Sequence, residues 1–236
     1  RDSSTSRGLG DVYKRQHEID EKVAIHINDT HPTLAIPELM RILMDEEQLS
    51  WEEAWRITQN TISYTNHTIL AEALEKWPIN MFKEILPRIY MIVEEINERY
   101  CKELWNKYTA QWDKISRMAI IGDNFVRMAN LAIVGSHSVN GVAKLHTEIL
   151  KKKEMSDFYY FYPNKFNNKT NGITHRRWLL KSNPELTNLL KETLGESFIR
   201  HPMDLLNFEK YLNDNNVLNK LSSITVSYTH LRAHET

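Results

Sequence analysis

Three short polar stretches hold the side chains best suited to chemistry: Asn28-Asp29-Thr30-His31-Pro32, Tyr64-Thr65-Asn66-His67-Thr68 and Asn168-Lys169-Thr170-Asn171-Gly172. Each follows an apolar, aromatic or β-prone run, the place where a strand would end, and small-molecule sites in α/β proteins gather at the carboxyl ends of strands. Amide, imidazole and hydroxyl groups donate and accept hydrogen bonds without formal charge, which suits them to the neighbouring hydroxyls of a sugar. A single histidine in a β-flanked loop is more often structural than functional. What points to a pocket is the repetition of the pattern, with His67 at its centre.

Other chemistries lack their spacing. Ten histidines invite a metal site, but there is no HExxH, and neither His26 with His31 nor His137 with His146 has the i, i+4 separation that puts two imidazoles on one helix face, so no metal site is expected. Ser136 lies in Gly-Ser-His and not in a G-x-S-x-G elbow. The stretch Gly135 to Gly141 has neither the Gly-Lys-Ser/Thr of a phosphate loop nor a dinucleotide GxGxxG. Glu72 and Glu75 are local neighbours without the division of labour of a glycosidase pair.

The elements that must position these loops are legible in outline. Val23 to Ile27 reads as a short buried strand that delivers Asp29 and His31. A helix follows on Ile36, Leu39, Met40, Leu43 and Met44, entered through Pro32 and Pro37. Ser50 and Glu53 form a capping box for a second helix, with Trp51, Ala54, Trp55 and Thr58 on its inner side, before the β-prone run into His67. A long amphipathic helix starts near Pro87 and runs through Ile89, Ile92, Val93, Ile96, Tyr100 and Leu104. Leu131 to Val134 is read as a strand, followed by a small-residue turn through Gly141 and a helix on Val142, Leu145, His146 and Ile149. Tyr159 to Phe161 is read as an aromatic strand leading to the third polar loop. Arg176, Arg177 and Trp178 start a helical turn, Asn183-Pro184-Glu185 caps a helix closed by Gly195, and a last amphipathic segment begins near Asp204. Residues 1–17 and 226–236 lack any such pattern and read as appended stretches foreign to the fold.

Composition sets the class. With 236 residues, 41% of them hydrophobic, the chain can bury a core, and a formal net charge of -1 gives no global field toward nucleic acid or an anionic membrane. One cysteine, Cys101, rules out an intramolecular disulfide and fits a reducing compartment; no run is long and apolar enough to span a bilayer. The expected location is the cytoplasm.

Four ordered blocks carry more than composition can. They are Asn28-Asp29-Thr30-His31-Pro32 with Ala35-Ile36-Pro37-Glu38-Leu39-Met40-Arg41; Tyr64-Thr65-Asn66-His67-Thr68 with Glu72-Ala73-Leu74-Glu75; Gly135-Ser136-His137-Ser138-Val139-Asn140-Gly141-Val142-Ala143-Lys144; and Asn168-Lys169-Thr170-Asn171-Gly172-Ile173-Thr174 with Arg176-Arg177-Trp178-Leu179. Together they closely resemble the glycogen/α-glucan phosphorylase family over roughly residues 18 to 225. The resemblance implies an α/β fold, part of a Rossmann-like two-lobed glycosyltransferase (GT-B type) architecture and helix-rich in this segment, with the site between the lobes. It implies an allosteric enzyme, a homodimer that releases glucose 1-phosphate from the non-reducing end of an α-1,4-glucan with inorganic phosphate and pyridoxal phosphate. By similarity His67 is the catalytic-site histidine, its carbonyl facing the developing oxocarbenium ion and its ring the glucosyl 6-hydroxyl. Asn171 binds the same sugar, Asp29 and His31 lie in the neighbouring pocket, and Trp178 stands near the cofactor. His175 occupies a position where the family often has proline.

The same resemblance makes the chain an interior fragment, because the Schiff-base lysine and the phosphate-holding basic residues belong to sequence it does not contain. Residues 18–171 would be the later part of the N-terminal lobe and 172–225 the start of the C-terminal lobe. The fragment alone is expected to be inactive and to bind no cofactor. The rival reading is a mainly helical carbohydrate-binding or interaction module without catalysis; it accounts for the amphipathic helices but not for the three sugar-compatible loops.

Overall fold

The computed structural model describes residues 18–235. They form two compact units that meet in sequence between Asn171 and Gly172.

The first unit opens with α1 (Ile19–Lys22) and the edge strand β1 (Ile25–Asn28). Helix α2 (Ala35–Arg41) continues as a π-helical turn and buries Ile36, Met40 and Leu43, the face its spacing predicts. Helix α3 (Trp51–Thr61) starts on Ser50, whose hydroxyl accepts the Glu53 N–H, and it leads directly into β2 (Ile62–Asn66). Next come β3 (Lys76–Pro78), α4 (Ile79–Ile85) and the long α5 (Pro87–Lys107), which has proline in its first turn and buries Ile89, Ile92, Val93, Ile96, Tyr100 and Leu104 along one stripe. After α6 (Trp112–Met118), strands β4 (Ile121–Gly122) and β5 (Phe125–Arg127) form a hairpin whose two loop residues, Asp123 and Asn124, both have positive φ. It pairs antiparallel with β3.

Helix α7 (Met128–Val134), β6 (Ser138–Gly141), α8 (Lys144–Ile149), α9 (Ser156–Phe161) and β7 (Phe166–Asn168) complete the unit. Two sequence readings are corrected here. Leu131 to Val134 is helix, and the strand is the small polar stretch behind it; a four-residue apolar run cannot distinguish a buried strand from a helix buried on all sides. Every residue of α7 except Asn130 is buried, and Asn130 turns its amide to the carbonyls of Arg117 and Ala119. Tyr159 to Phe161 also lie on a helix, with Phe158 buried and Tyr160 exposed, and the strand comes five residues later at Phe166.

The main sheet is parallel with strand order β1-β2-β6-β7, so the unit is α/β and helix-rich. Ile27, Tyr64, Val139 and Phe166 are register partners in one buried row. The next row, on the opposite face, is Asn28, Thr65, Asn140 and Asn167. Two glycines permit close approach. A Cβ on Gly135 would meet the Ile36 side chain at 2.6 Å, and one on Gly141 would meet Thr147 Oγ1 at 2.5 Å and Thr147 Cα at 3.0 Å.

The second unit contains a π-helical turn (Arg176–Lys181), α10 (Pro184–Leu194), a 3-10 segment (Pro202–Tyr211) and α11 (Asn215–Glu235). Asn183 caps α10 through the Leu186 N–H, Gly195 ends it with φ +75°, and Leu189, Leu190 and Phe198 are buried. His175 is buried and its Nε2 donates to the Ile199 carbonyl at 3.0 Å, a bond proline could not make. The backbone of 226–235 continues as α11.

Two predictions follow from this packing. Because the Gly141 contact is partly with backbone, Gly141→Ala forces α8 off β6 and costs about 1–3 kcal/mol, whereas Gly172→Ala, with open space around it, stays within about 0.5 kcal/mol of the parent in urea unfolding. The second concerns Lys165, whose ammonium donates to the last carbonyls of α7, Ile133 and Val134, both at 3.1 Å. Burial pushes it down to about 8, against the pull of Glu103. Between that value and the ordinary lysine value near 10.4 the unfolded chain holds a proton the folded chain has released, so stability rises with pH in this window. From pH 7.5 to 9.5 the wild type should gain about 2 kcal/mol relative to Lys165→Met in urea midpoints.

Candidate functional site

The register sets the site. Asn28 pairs with Thr65, Asn66 with Gly141 and Gly141 with Asn168, so all four strands of the main sheet end at one edge. The first two polar loops and a fourth segment beginning at Val142 leave from that edge, and the third polar loop starts at the end of β7 itself.

Asp29 ties the first loop to the second. It takes φ +62°, a left-handed conformation that Asp tolerates better than most residues. Its carboxylate accepts the Thr30 N–H at 2.8 Å and the Thr68 hydroxyl at 3.1 Å, and its own N–H donates to the Thr65 carbonyl at 2.8 Å. Behind it Glu75 accepts the Thr30 hydroxyl at 2.8 Å and the Trp77 indole N–H at 2.9 Å. The exposed His67 ring donates from Nε2 to Asn28 Oδ1 at 2.6 Å. An amide oxygen only accepts, so in the neutral ring Nδ1 is left as an acceptor. Beneath, the Thr65 hydroxyl accepts from His26 Nε2 and donates to Asn140 Oδ1 at 2.7 Å, linking three strands.

Val142 joins the remaining pieces. Its carbonyl accepts the Asn171 N–H at 3.3 Å, and its N–H donates to His146 Nδ1 at 3.1 Å. His146 is 7% exposed, and burial first, then the neighbouring His67, holds its pKa below the ordinary histidine value, against an opposite pull from Asp29. The ring is therefore neutral at pH 7, with its proton on Nε2. Burial likewise pushes the Tyr64 phenol up; its oxygen accepts the Asn66 amide at 2.9 Å. The site is rich in uncharged donors and acceptors, with Asp29 engaged in local bonds.

Of the residues singled out from sequence, His67, Asp29 and Asn171 come together at this edge. His31 is exposed in the loop after β1. Trp178 belongs to the second unit, on the π-helical turn, and is 66% exposed. Sequence reasoning missed His146, taking it only as a helix residue, and Glu75 as an anchor. The His146 signal was its place four residues after Val142, at the opening of a helix behind Gly141.

No group of three or more His, Cys, Asp or Glu among the described residues could hold a metal. Pyridoxal phosphate needs a lysine free to carry it. Lys165, the one described lysine whose pKa is lowered, spends its ammonium on two carbonyls and lies over the Tyr162 ring at 4.1 Å. Lys165 therefore does not fit that group, and Trp178 alone does not make a site for it.

Comparison with known proteins agrees in one direction. The family model described as carbohydrate phosphorylase matches residues 6–231. The glycogen phosphorylase of Bacillus subtilis (strain 168) is 60% identical over 206 residues, which cover 86% of this chain and 26% of that protein. The liver-form glycogen phosphorylase of Homo sapiens is 45% identical over 223 residues, 93% of this chain and 26% of that protein. Glycogen phosphorylase 2 of Dictyostelium discoideum is 51% identical over 200 residues, 84% and 20% respectively. The chain thus spans about a quarter of the length of these relatives. A match along nearly the whole chain, over a parallel sheet that gathers sugar-compatible groups at its carboxyl edge, places the chain in the carbohydrate phosphorylase family.

Proposed function

We propose that the chain is the sugar-positioning segment of an α-1,4-glucan phosphorylase. The observation that carries this is the meeting of His67, Asp29 and Asn171 at the carboxyl edge of the parallel sheet, in a chain 45–60% identical to bacterial and human glycogen phosphorylases. In the intact enzyme the bond from C1 of the terminal glucose to the glucan 4-oxygen breaks, C1 bonds to a phosphate oxygen, and the released 4-oxygen takes a proton. Phosphate retains the configuration at C1, and the products are glucose 1-phosphate and a glucan one unit shorter.

This chain's part is to bind and orient. The His67 carbonyl faces the positive charge that develops at C1, while Nδ1 of its ring accepts a sugar hydroxyl and Nε2 stays anchored on Asn28. The Asn171 amide binds the same sugar. Asp29 holds the His67 loop through Thr68, and His31 extends the polar wall beyond it. Residues 18–171 would belong to the N-terminal lobe of a two-lobed GT-B enzyme and 172–225 to the start of the next; the division of the chain between Asn171 and Gly172 supports that reading. Pyridoxal phosphate, which the family resemblance implies for the intact enzyme, would supply its phosphate as a proton carrier there, and Trp178 would offer it a flat apolar face. A cytoplasmic homodimer fits the class; no helix of the described residues is long and apolar enough to cross a membrane.

In the intact enzyme His67→Ala should lower kcat by about 10²-fold while leaving the thermal midpoint nearly unchanged, because the exposed ring contributes little packing and the backbone carbonyl survives. A variant with wild-type turnover and glucan affinity removes His67 from the sugar site. The 236-residue chain expressed alone should release no glucose 1-phosphate from glycogen and phosphate. Borohydride treatment with pyridoxal phosphate, followed by peptide mass spectrometry, should then give no stoichiometric modification at a single lysine. One modified lysine together with activity would show that the chain carries its own catalytic centre.

A further inference from the structure

Two buried side-chain atoms beside the site have no hydrogen-bond partner among the described residues, Oδ1 of Asn66 and Nε2 of His146. An under-used carbonyl oxygen is common in proteins, whereas a buried N–H without an acceptor is rare and calls for a reason. His146 cannot relieve it by changing tautomer. Its Nδ1 is already the acceptor for the Val142 N–H, so in the neutral ring the proton stays on Nε2.

The register brings the segment that holds this donor alongside the one that carries His67. Asn66 pairs with Gly141, and the next residues along the two chains are His67 and Val142, the residue that fixes the His146 ring. His67 has the complementary shortage: Nε2 is spent on Asn28, and Nδ1 remains as an acceptor. A donor-only nitrogen on one of these neighbouring segments and an acceptor-only nitrogen on the other suit one kind of group between them, a hydroxyl, whose oxygen takes the first proton and whose hydrogen goes to the second.

We propose that His146 is a further sugar-binding residue, the fixed donor of a two-imidazole clamp that closes on a single hydroxyl of the substrate with His67 as the acceptor. The proposal rests on the glucan-phosphorylase reading above and adds a residue and a selectivity to it. His146 is the rigid member, buried and held through its ring by the backbone of Val142. His67 is the exposed member, its ring anchored through Nε2 on Asn28 so that Nδ1 is the nitrogen turned to the hydroxyl's proton. Sites built to bond a hydroxyl reject analogues lacking it strongly, because their own buried polar groups are then left unpaired.

The test uses the intact enzyme and a series of mono-deoxy glucose 1-phosphates in the direction of glucan synthesis. Wild-type kcat/KM should fall about 10²-fold or more for one member of the series. His146→Leu should lose a comparable factor on the complete sugar, become indifferent to that one hydroxyl and discriminate the others as before, and His146→Gln, which keeps an N–H, should recover part of the loss. Losses that multiply independently at every position, or a Leu variant with wild-type kcat/KM, overturn the clamp. Should the Leu variant fail to fold, imidazole 15N–1H NMR of the wild-type enzyme decides: the His146 Nε2 proton shifts when the complete sugar phosphate binds and stays in place with the discriminated deoxy analogue, and equal shifts with both overturn the proposal. A wild-type enzyme that neither makes nor degrades glucan would instead overturn the reading on which this one stands.

Discussion

The pairing register of the four parallel strands is the constraint on which the rest of the first unit depends. Since successive residues point to opposite faces, a slip of one residue in any strand would move Ile27, Tyr64, Val139 or Phe166 out of the buried row and bring an asparagine or threonine in. Burying such a group without a partner costs more than this small sheet can spare. The apolar row therefore fixes which residues reach the carboxyl edge together, and through them the relative positions of His67, Asp29 and Val142. The polar row adds cross-links of its own, His26 to Thr65 to Asn140 and Asn167 to Ser138, so that the face carrying the site is tied by side chains as well as by the backbone.

Close approach at Gly141 turns this register into a site. Helix α8 lies against the end of β6 because nothing projects from Gly141, and there the Thr147 hydroxyl, besides its bond to Ala143 in its own helix, donates to Asn168 Oδ1 at the end of β7. The first turn of α8 is then near enough for His146 to reach back to Val142. Val142 is shared: it orients one imidazole through its N–H and the backbone of Asn171 through its carbonyl. Two residues 25 positions apart in sequence are thus set by the two polar atoms of one peptide residue, and both bonds are anchored on backbone that the end of β6 holds in place.

Much of this was legible in the residues, and the parts that were not share a cause. Strand β1 and the helices on Ile36 and Pro87 announce themselves because one face of each is apolar at the expected period. Capping is equally plain at Ser50 and Asn183, where the side chain that should accept does accept. Strands β6 and β7 gave no such sign: Ser138-Val139-Asn140-Gly141 and Phe166-Asn167-Asn168 each have one buried apolar residue, and their partners across the sheet supply the rest of the row. Parallel strands usually read as continuous apolar runs, so the polar ones pass for loops and the nearby apolar runs, Leu131 to Val134 and Tyr159 to Phe161, pass for the strands. The loops that bear His67 and Asp29 were visible from residue type, but that they leave the sheet next to the segment of Val142 and His146 depends on a register between strands that local sequence does not encode.

The same polar residues that hide β6 and β7 from sequence make the edge suitable for a neutral ligand. A sugar brings hydroxyls and no charge, so a site of fixed full charges would pay for desolvating them without recovering the energy from the ligand. Here Asp29 is turned inward to two local donors, Glu75 is engaged by Thr30 and Trp77, and burial keeps His146 uncharged, while the groups left over are an imidazole, amides and hydroxyls. Some of them, the His146 N–H above all, are poorly satisfied in the fold itself. Natural proteins tolerate such local cost where function uses it, and the well-packed row beneath, from Ile27 to Phe166, is what allows this edge to carry it.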